Sequence, residues 1–211
     1  MERNRIIVKV KLRLDELGPF EEGQVVDSGR IDHYLDDCVK RLLLIVPPHM
    51  CKPTSFAGET PVPFTDNKSG YIPLPDAFVR FVALKMHSWS RTVNNAITEL
   101  NPLYRRQSSP YIRGSNDKPV VVFRHEPALV TAFSPKTLGK CLEYYSVLTG
   151  DHVITRGLYL ASCVAELLDD NLVDPLSWLV AETILSAVGE TDLAKSANAK
   201  VGEWIMSAST V

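Results

Sequence analysis

Tyr71-Ile72-Pro73-Leu74-Pro75-Asp76-Ala77-Phe78-Val79-Arg80-Phe81-Val82 is the stretch on which the reading of this chain turns. Two prolines one residue apart remove backbone donors and hold its first half extended. Asp76 follows as a candidate N-cap, and Phe78, Phe81, Val82, Lys85, Trp89, Val93 and Ile97 recur at helical spacing. The spacing predicts a helix over residues 77–98, closed by Asn101-Pro102. The first picture is thus a stiff arm handing over to a long helix.

Upstream, Pro47, Pro48, Pro53, Pro61, Pro63, Pro73 and Pro75 exclude helix from residues 47–75. Residues 60–64 and 70–74 flank the turn signal Asp66-Asn67-Lys68-Ser69-Gly70 and read as a hairpin. Proline in both of its arms confines them to a sheet edge or to a projection. Before them, Asp27 or Ser28 caps a helix carrying Ile31, Tyr34, Leu35, Cys38, Val39, Leu42 and Ile45, stopped at Pro47-Pro48. Residues 6–17 fit a strand through Val8, Val10, Leu12 and Leu14, and a helix through Ile7, Val10, Leu14 and Leu17. The helix-forming run Leu-Arg-Leu-Asp-Glu-Leu before Gly18-Pro19 tips the choice to helix.

Downstream, polar residues 103–117 precede short strands expected at 119–123, 129–133 and 141–147 in a small antiparallel sheet. The last third reads as helical. One helix covers 158–168, another runs from Asp174-Pro175 to Gly189, and a third is capped by Thr191, with a mobile tail after Met206. The fold class expected is α+β, mainly α: a helical bundle with a projecting Pro-rich hairpin or arm and a small antiparallel β-sheet. A single domain spans 1–211, with a helical body at about 1–46, 76–100 and 154–208, an arm at 47–75, and loop and sheet at 101–150.

The composition, 45% hydrophobic and 23% charged over 211 residues, is that of a soluble globular chain. No apolar run approaches the roughly 20 residues of a membrane span. The N-terminal residues lack an apolar signal core, so secretion by a signal peptide is not expected. Cys38, Cys51, Cys141 and Cys163 show no CxxC spacing and fit a reduced, intracellular setting. The formal net charge of -2 hides a polarity: residues 76–125 are basic, and acidic residues dominate from Asp151 onward.

Motifs for chemistry are absent. There is no Gly-x-Gly-x-x-Gly, no phosphate loop and no Gly-x-Ser-x-Gly elbow. His49 and Cys51 are the nearest approach to a metal-ligand pair, and two ligands fall short of a site. Asp36-Asp37 and Asp169-Asp170 are neighbours in sequence, but adjacent helical residues point about 100° apart. Trp89, Trp178 and Trp204 fall on apolar helical stripes and read as core. No enzyme, cofactor or metal site is expected. Tyr104-Arg105-Arg106-Gln107 with Tyr111, Arg113 and Lys118 reads first as a solvated loop facing an acidic neighbour. The second reading is a phosphate grip with tyrosine stacking, which makes residues 104–124 the core of a nucleic-acid-binding or regulatory module.

Residues 72–82, then Lys85, Trp89 and Val93, then Tyr104, Gln107 and Gly114, then Lys118-Pro119-Val120-Val121, resemble a virion protein of the crAss-like tailed bacteriophages. Residues 158–168, 175–188 and Leu193-Ala194-Lys195 resemble its C-terminal part, and the order of elements is similar to head–tail connector (adaptor) proteins of other tailed phages. The resemblance implies a structural ring protein in the virion neck, assembled in the host bacterial cytoplasm and matched to the portal's symmetry, commonly dodecameric. It implies contacts with copies of itself, with the portal and with tail or other ring proteins. Double-stranded DNA would pass through the channel without sequence recognition, and no membrane is involved. Pro61, Phe64, Tyr71, Ile72, Leu74, Arg105, Arg106, Tyr111 and Arg113 are the candidate inter-subunit or partner contacts.

Overall fold

A computed structural model describes residues 2–18, 26–56, 58–107, 109, 112–124 and 140–209. Among them the fold is α+β. Helices are α1 (Arg3–Leu17), α2 (Ser28–Ile45), α3 (Pro102–Gln107), α4 (Val173–Val188) and α5 (Thr191–Ser209). Strands are β1 (Thr54–Ser55), β2 (Val62–Pro63), β3 (Ser69–Pro73), β4 (Phe78–Met86), β5 (Val120–Arg124), β6 (Cys141–Tyr145) and β7 (Ile154–Ala161). The chain divides into two compact units: residues 1–52 with 162–211, and residues 53–161. The second is a β unit inserted between the two halves of a helical unit.

In the helical unit α4 touches α1, α2 and α5. It can do so because it is apolar nearly all round: Leu176, Leu179, Val180, Ala181, Ile184 and Leu185 are all buried. The facing stripes are Ile6, Val10 and Leu14 on α1, and Ile31, Leu35, Val39 and Leu42 on α2. Gly189 closes α4 with the left-handed backbone its φ of 91° requires. Charge fixes the helices in register. Arg3 of α1 reaches Asp32 and Asp36 of α2 and Glu166. Arg13 lies over the Trp178 ring at 4.7 Å and pairs with Asp174, as does Lys9. Burial alone would raise the Asp174 carboxyl, but Arg13 and then Lys9 outweigh it and hold it below the usual range.

In the β unit two antiparallel sheets, ordered β1-β7-β4 and β2-β3-β6-β5, share one apolar core. Phe56, Phe78, Leu84, Met86 and Tyr159 come from the first sheet and its flanks; Ile72, Val121, Leu142 and Tyr144 come from the second. Residues 93–97 join the sheets. Val93 exchanges both backbone hydrogen bonds with Leu84 at 2.9 Å, while Ile97 bonds to Val121 and Phe123.

The quoted stretch is where sequence and structure part. Phe78–Met86 is a strand, not a helix, paired along β7. The register skips a residue at Val79 and again at Val82, so two β-bulges place Phe78, Phe81 and Leu84 three apart. Two bulges thereby copy the spacing of a helix face. Trp89 sits in the turn beyond, 2% exposed, rather than on a helix.

Three further corrections follow. Residues 154–161 form β7, succeeded by an extended link containing Cys163 and a single 3-10 turn, so no helix covers 158–168. The hairpin of β2 and β3 exists, but only β2 lies at an edge. β3 pairs with β2 on one side and β6 on the other, and Tyr71 and Ile72 are buried, so residues 69–73 do not project. Pro73 is tolerated because it is the last residue of its strand. Last, α4 starts at Val173, which puts Asp174 in the first turn, where it pairs with Arg13 instead of capping. The strand expected at 129–133 lies outside the described residues.

Gly70 is fixed by close approach: a Cβ there would stand 2.4 Å from the Val62 carbonyl oxygen and 2.5 Å from the Tyr144 hydroxyl. Gly70→Ala is therefore expected to destabilise the β unit by about 1–3 kcal/mol, read as a lower denaturation midpoint in urea. An unchanged midpoint would mean that β2 and β3 do not meet as described.

Candidate functional site

Helix α3, residues 91–97 and residues 112–121 surround a cavity of about 820 Å3 in the β unit. Four cations line it, Arg91, Arg106, Arg113 and Lys118, and no described carboxylate does. Val93, Ile97, Val120 and Val121 supply an apolar side, while Asn94, Asn95 and Ser115 add neutral polar groups.

One wall is held in place by its own contacts. At Gly114 a Cβ would fall 2.2 Å from the Lys118 carbonyl oxygen, so the loop folds as tightly as it does only with glycine. Ser146 donates to the Gly114 carbonyl at 2.5 Å, Lys118 N–H to Ser115 at 2.9 Å, and Ser90 N–H to Asn116 at 3.2 Å. Arg113 donates to Asp66 at 2.9 Å. Asp66 also accepts from Ser69 Oγ and from the Lys68 and Ser69 backbone, so one carboxylate ties the β2–β3 turn to the cavity wall. Burial pushes this carboxyl up, but the Ser69, Lys68 and Arg113 hydrogen bonds together outweigh that and hold it below the usual range.

Gln107, at the end of α3, is only 5% exposed. Its Nε2 donates to the Leu103 carbonyl at 2.8 Å, which leaves Oε1 buried with no partner. An unsatisfied buried acceptor costs about 1–3 kcal/mol, so it marks a place where a donor belongs.

A second polar cluster lies along β5 and β6. Glu143 is fully buried, accepts from the Tyr145 hydroxyl at 2.7 Å, and lies 3.6 Å from Arg124 Nε. Arg124 also meets Glu99 at 3.2 Å and donates to the Tyr104 hydroxyl. Burial, reinforced by Glu143, pushes the Cys141 thiol up to about 12 and the Tyr145 hydroxyl well above its ordinary value. Neither group is a nucleophile near neutrality in that state. The cluster sets the pairing of β5 with β6 and anchors α3.

The residues singled out by sequence disperse. Arg106 and Arg113 line the cavity. Arg105 is exposed on α3 outside the lining, and Tyr111 lies outside the described residues. Phe64, Tyr71 and Ile72 are buried in the β unit, which removes them as outward contacts; Pro61 and Leu74 are half-buried. Asp36 and Asp37 face different partners, Arg3 and Lys40, and Asp169 meets Lys52. Among the described residues no group of three His, Cys, Asp or Glu could hold a metal ion, and no helix is long and apolar enough to cross a membrane. Sequence reasoning passed over Arg91, Glu143 and the orphaned acceptor of Gln107. Only Glu143, an acid inside the apolar run Cys141-Leu-Glu-Tyr-Tyr, left a visible signal. No protein-family model and no curated protein matches the chain.

Two outcomes are expected. Asp66, held below the unfolded aspartate value of about 3.9, stabilises the fold above that pH, and the contribution is lost as pH falls through its folded value. Asp66→Asn should lower stability at neutral pH by about 1 kcal/mol and flatten the acid limb of melting temperature against pH. Arg124→Leu, which strips an ion pair from buried Glu143, should cost about 3–5 kcal/mol. Adding Glu143→Gln should restore much of it in a double-mutant cycle; simple additivity would show that the pair is not coupled.

Proposed function

We propose that the chain is a structural virion protein that forms a ring at the phage head–tail interface, joining portal to tail around the DNA channel. One observation carries the reading beyond the sequence resemblance: the two folded units bear opposite charge. The β unit has 12 Lys and Arg against 8 Asp and Glu, and the helical unit 11 against 17. A ring closes by heterologous contacts, which require two unlike, complementary surfaces on every subunit. Such complementarity sets orientation and register more than affinity.

In this proposal the helical unit acts as the bundle packed against neighbours. It has apolar surface to offer, with Val8 and Leu12 one turn apart on α1 and exposed at 57% and 54%. The projecting arm shrinks to the edge strand β2, whose Val62 is exposed. A neighbour's extended segment can add there. The gathering of Arg91, Arg106 and Lys118 in one cavity favours a second reading, a nucleic-acid-binding module centred on residues 104–124.

Mass photometry and negative-stain imaging of the chain with and without a crAss-like phage portal protein separate the two. Rings that form with portal and loosen as salt rises are expected. A strict monomer that ignores portal and binds DNA with steep salt dependence would overturn the ring and leave the second reading standing.

A further inference from the structure

Three properties of the cavity beside α3 have to be met by one occupant. Its cations, Arg91, Arg106 and Lys118, have no acidic partner among the described residues, whereas Arg113 is already neutralised by Asp66. That calls for an anion, and several cations around one space suit a compact phosphate better than a single carboxylate. Gln107 Oε1, buried and unpartnered, calls for an N–H or O–H donor. A carboxylate or an ionised phosphate ester has none to give, so the anionic group of such a ligand does not by itself complete the site. The side formed by Val93, Ile97 and Val121 calls for an apolar or aromatic face. At about 820 Å3 the space lies within the range of small-molecule pockets. Its wall is pre-formed by the Ser146–Gly114 and Arg113–Asp66 contacts, so little ordering cost remains for binding.

We propose that this cavity is a nucleotide site. The phosphate sits among Arg91, Arg106 and Lys118, the base lies along Val93, Ile97 and Val121, and an exocyclic amine or a sugar hydroxyl donates to Gln107 Oε1. The nucleotide comes either free or as one residue of a single strand, since both present the same chemistry. The proposal does not depend on ring formation.

Isothermal titration calorimetry on the full chain tests it with AMP, ATP, inorganic phosphate, a short single-stranded oligonucleotide and an acidic peptide. Saturable binding of AMP or ATP, much tighter than that of inorganic phosphate, is expected. Binding of the oligonucleotide alone also supports the site and identifies the strand as its source. Arg106→Ala with Lys118→Ala, both at exposed positions, should weaken nucleotide binding by about tenfold or more. Gln107→Leu should weaken nucleotide binding while leaving the response to inorganic phosphate unchanged. Silence from every nucleotide at millimolar concentration overturns the proposal. So does a nucleotide response no larger than that of phosphate, or binding of the acidic peptide only.

Discussion

Everything in the β unit depends on a few backbone hydrogen bonds made by residues 93–97. Val93 is bonded to Leu84 in the first sheet and Ile97 to Val121 and Phe123 in the second. Without these bonds β4 and β5 would each present an open edge, and the two sheets would be held together by their shared core and by chain links such as 74–77 and 146–153. The same segment forms part of the cavity. Between its two anchor points Asn94 and Asn95 are exposed and line the space, while Val93 and Ala96 pack against the core. Core and cavity are therefore two faces of one constraint. A change at Val93 or Val121 is felt in both, because packed interiors transmit strain instead of absorbing it.

Close approaches extend that constraint outward. Tyr144 reaches over Gly70 to hydrogen-bond His152 at 2.8 Å, and His152 in turn meets Asn67 at 2.9 Å in the β2–β3 turn. Asp66, one residue earlier, holds Arg113 in the cavity wall. A turn that looks like surface punctuation is thus tied to the sheet interior on one side and to the cavity on the other. Phe56 does similar work at the opposite end, packing where a Cβ on Gly157 would collide with its ring at 2.5 Å.

How legible this was in the sequence depended on whether a local period survives in the fold. α2 kept an unbroken helical stripe from Ile31 to Leu42, and α4 kept its Gly189 stop, so both were readable. The strands β5 and β6 were readable from their β-branched and aromatic residues. β4 was not, because its two bulges turn a period of two into a spacing of three at Phe78, Phe81 and Leu84. A bulge is set by pairing with β7, a strand more than sixty residues away, and no local pattern reports it. The proline rule failed at β3 for a related reason: Pro73 ends the strand, so a central position lost little. Of the candidate site, Arg106, Arg113 and Lys118 were visible, and Arg91 and the cavity were not. Arg91 joins Arg106 and Lys118 only because residues 93–97 run from one sheet to the other.

The charge polarity seen along the sequence takes on a sharper meaning once the cations are sorted by partner. Arg113 and Arg124 belong to the fold, since Asp66, Glu99 and Glu143 neutralise them, and removing them would be felt as instability. Arg91, Arg106 and Lys118 have no acidic partner among the described residues, yet they line one cavity with a glutamine whose acceptor is unsatisfied. Like charges gathered without counter-charge repel one another, so such an arrangement lowers stability unless an anion answers it. Arg124, by contrast, lies between two carboxylates, Glu99 and Glu143. The surplus charge and the missing donor fall at the same place, and that coincidence is what supports the nucleotide site we propose for the cavity.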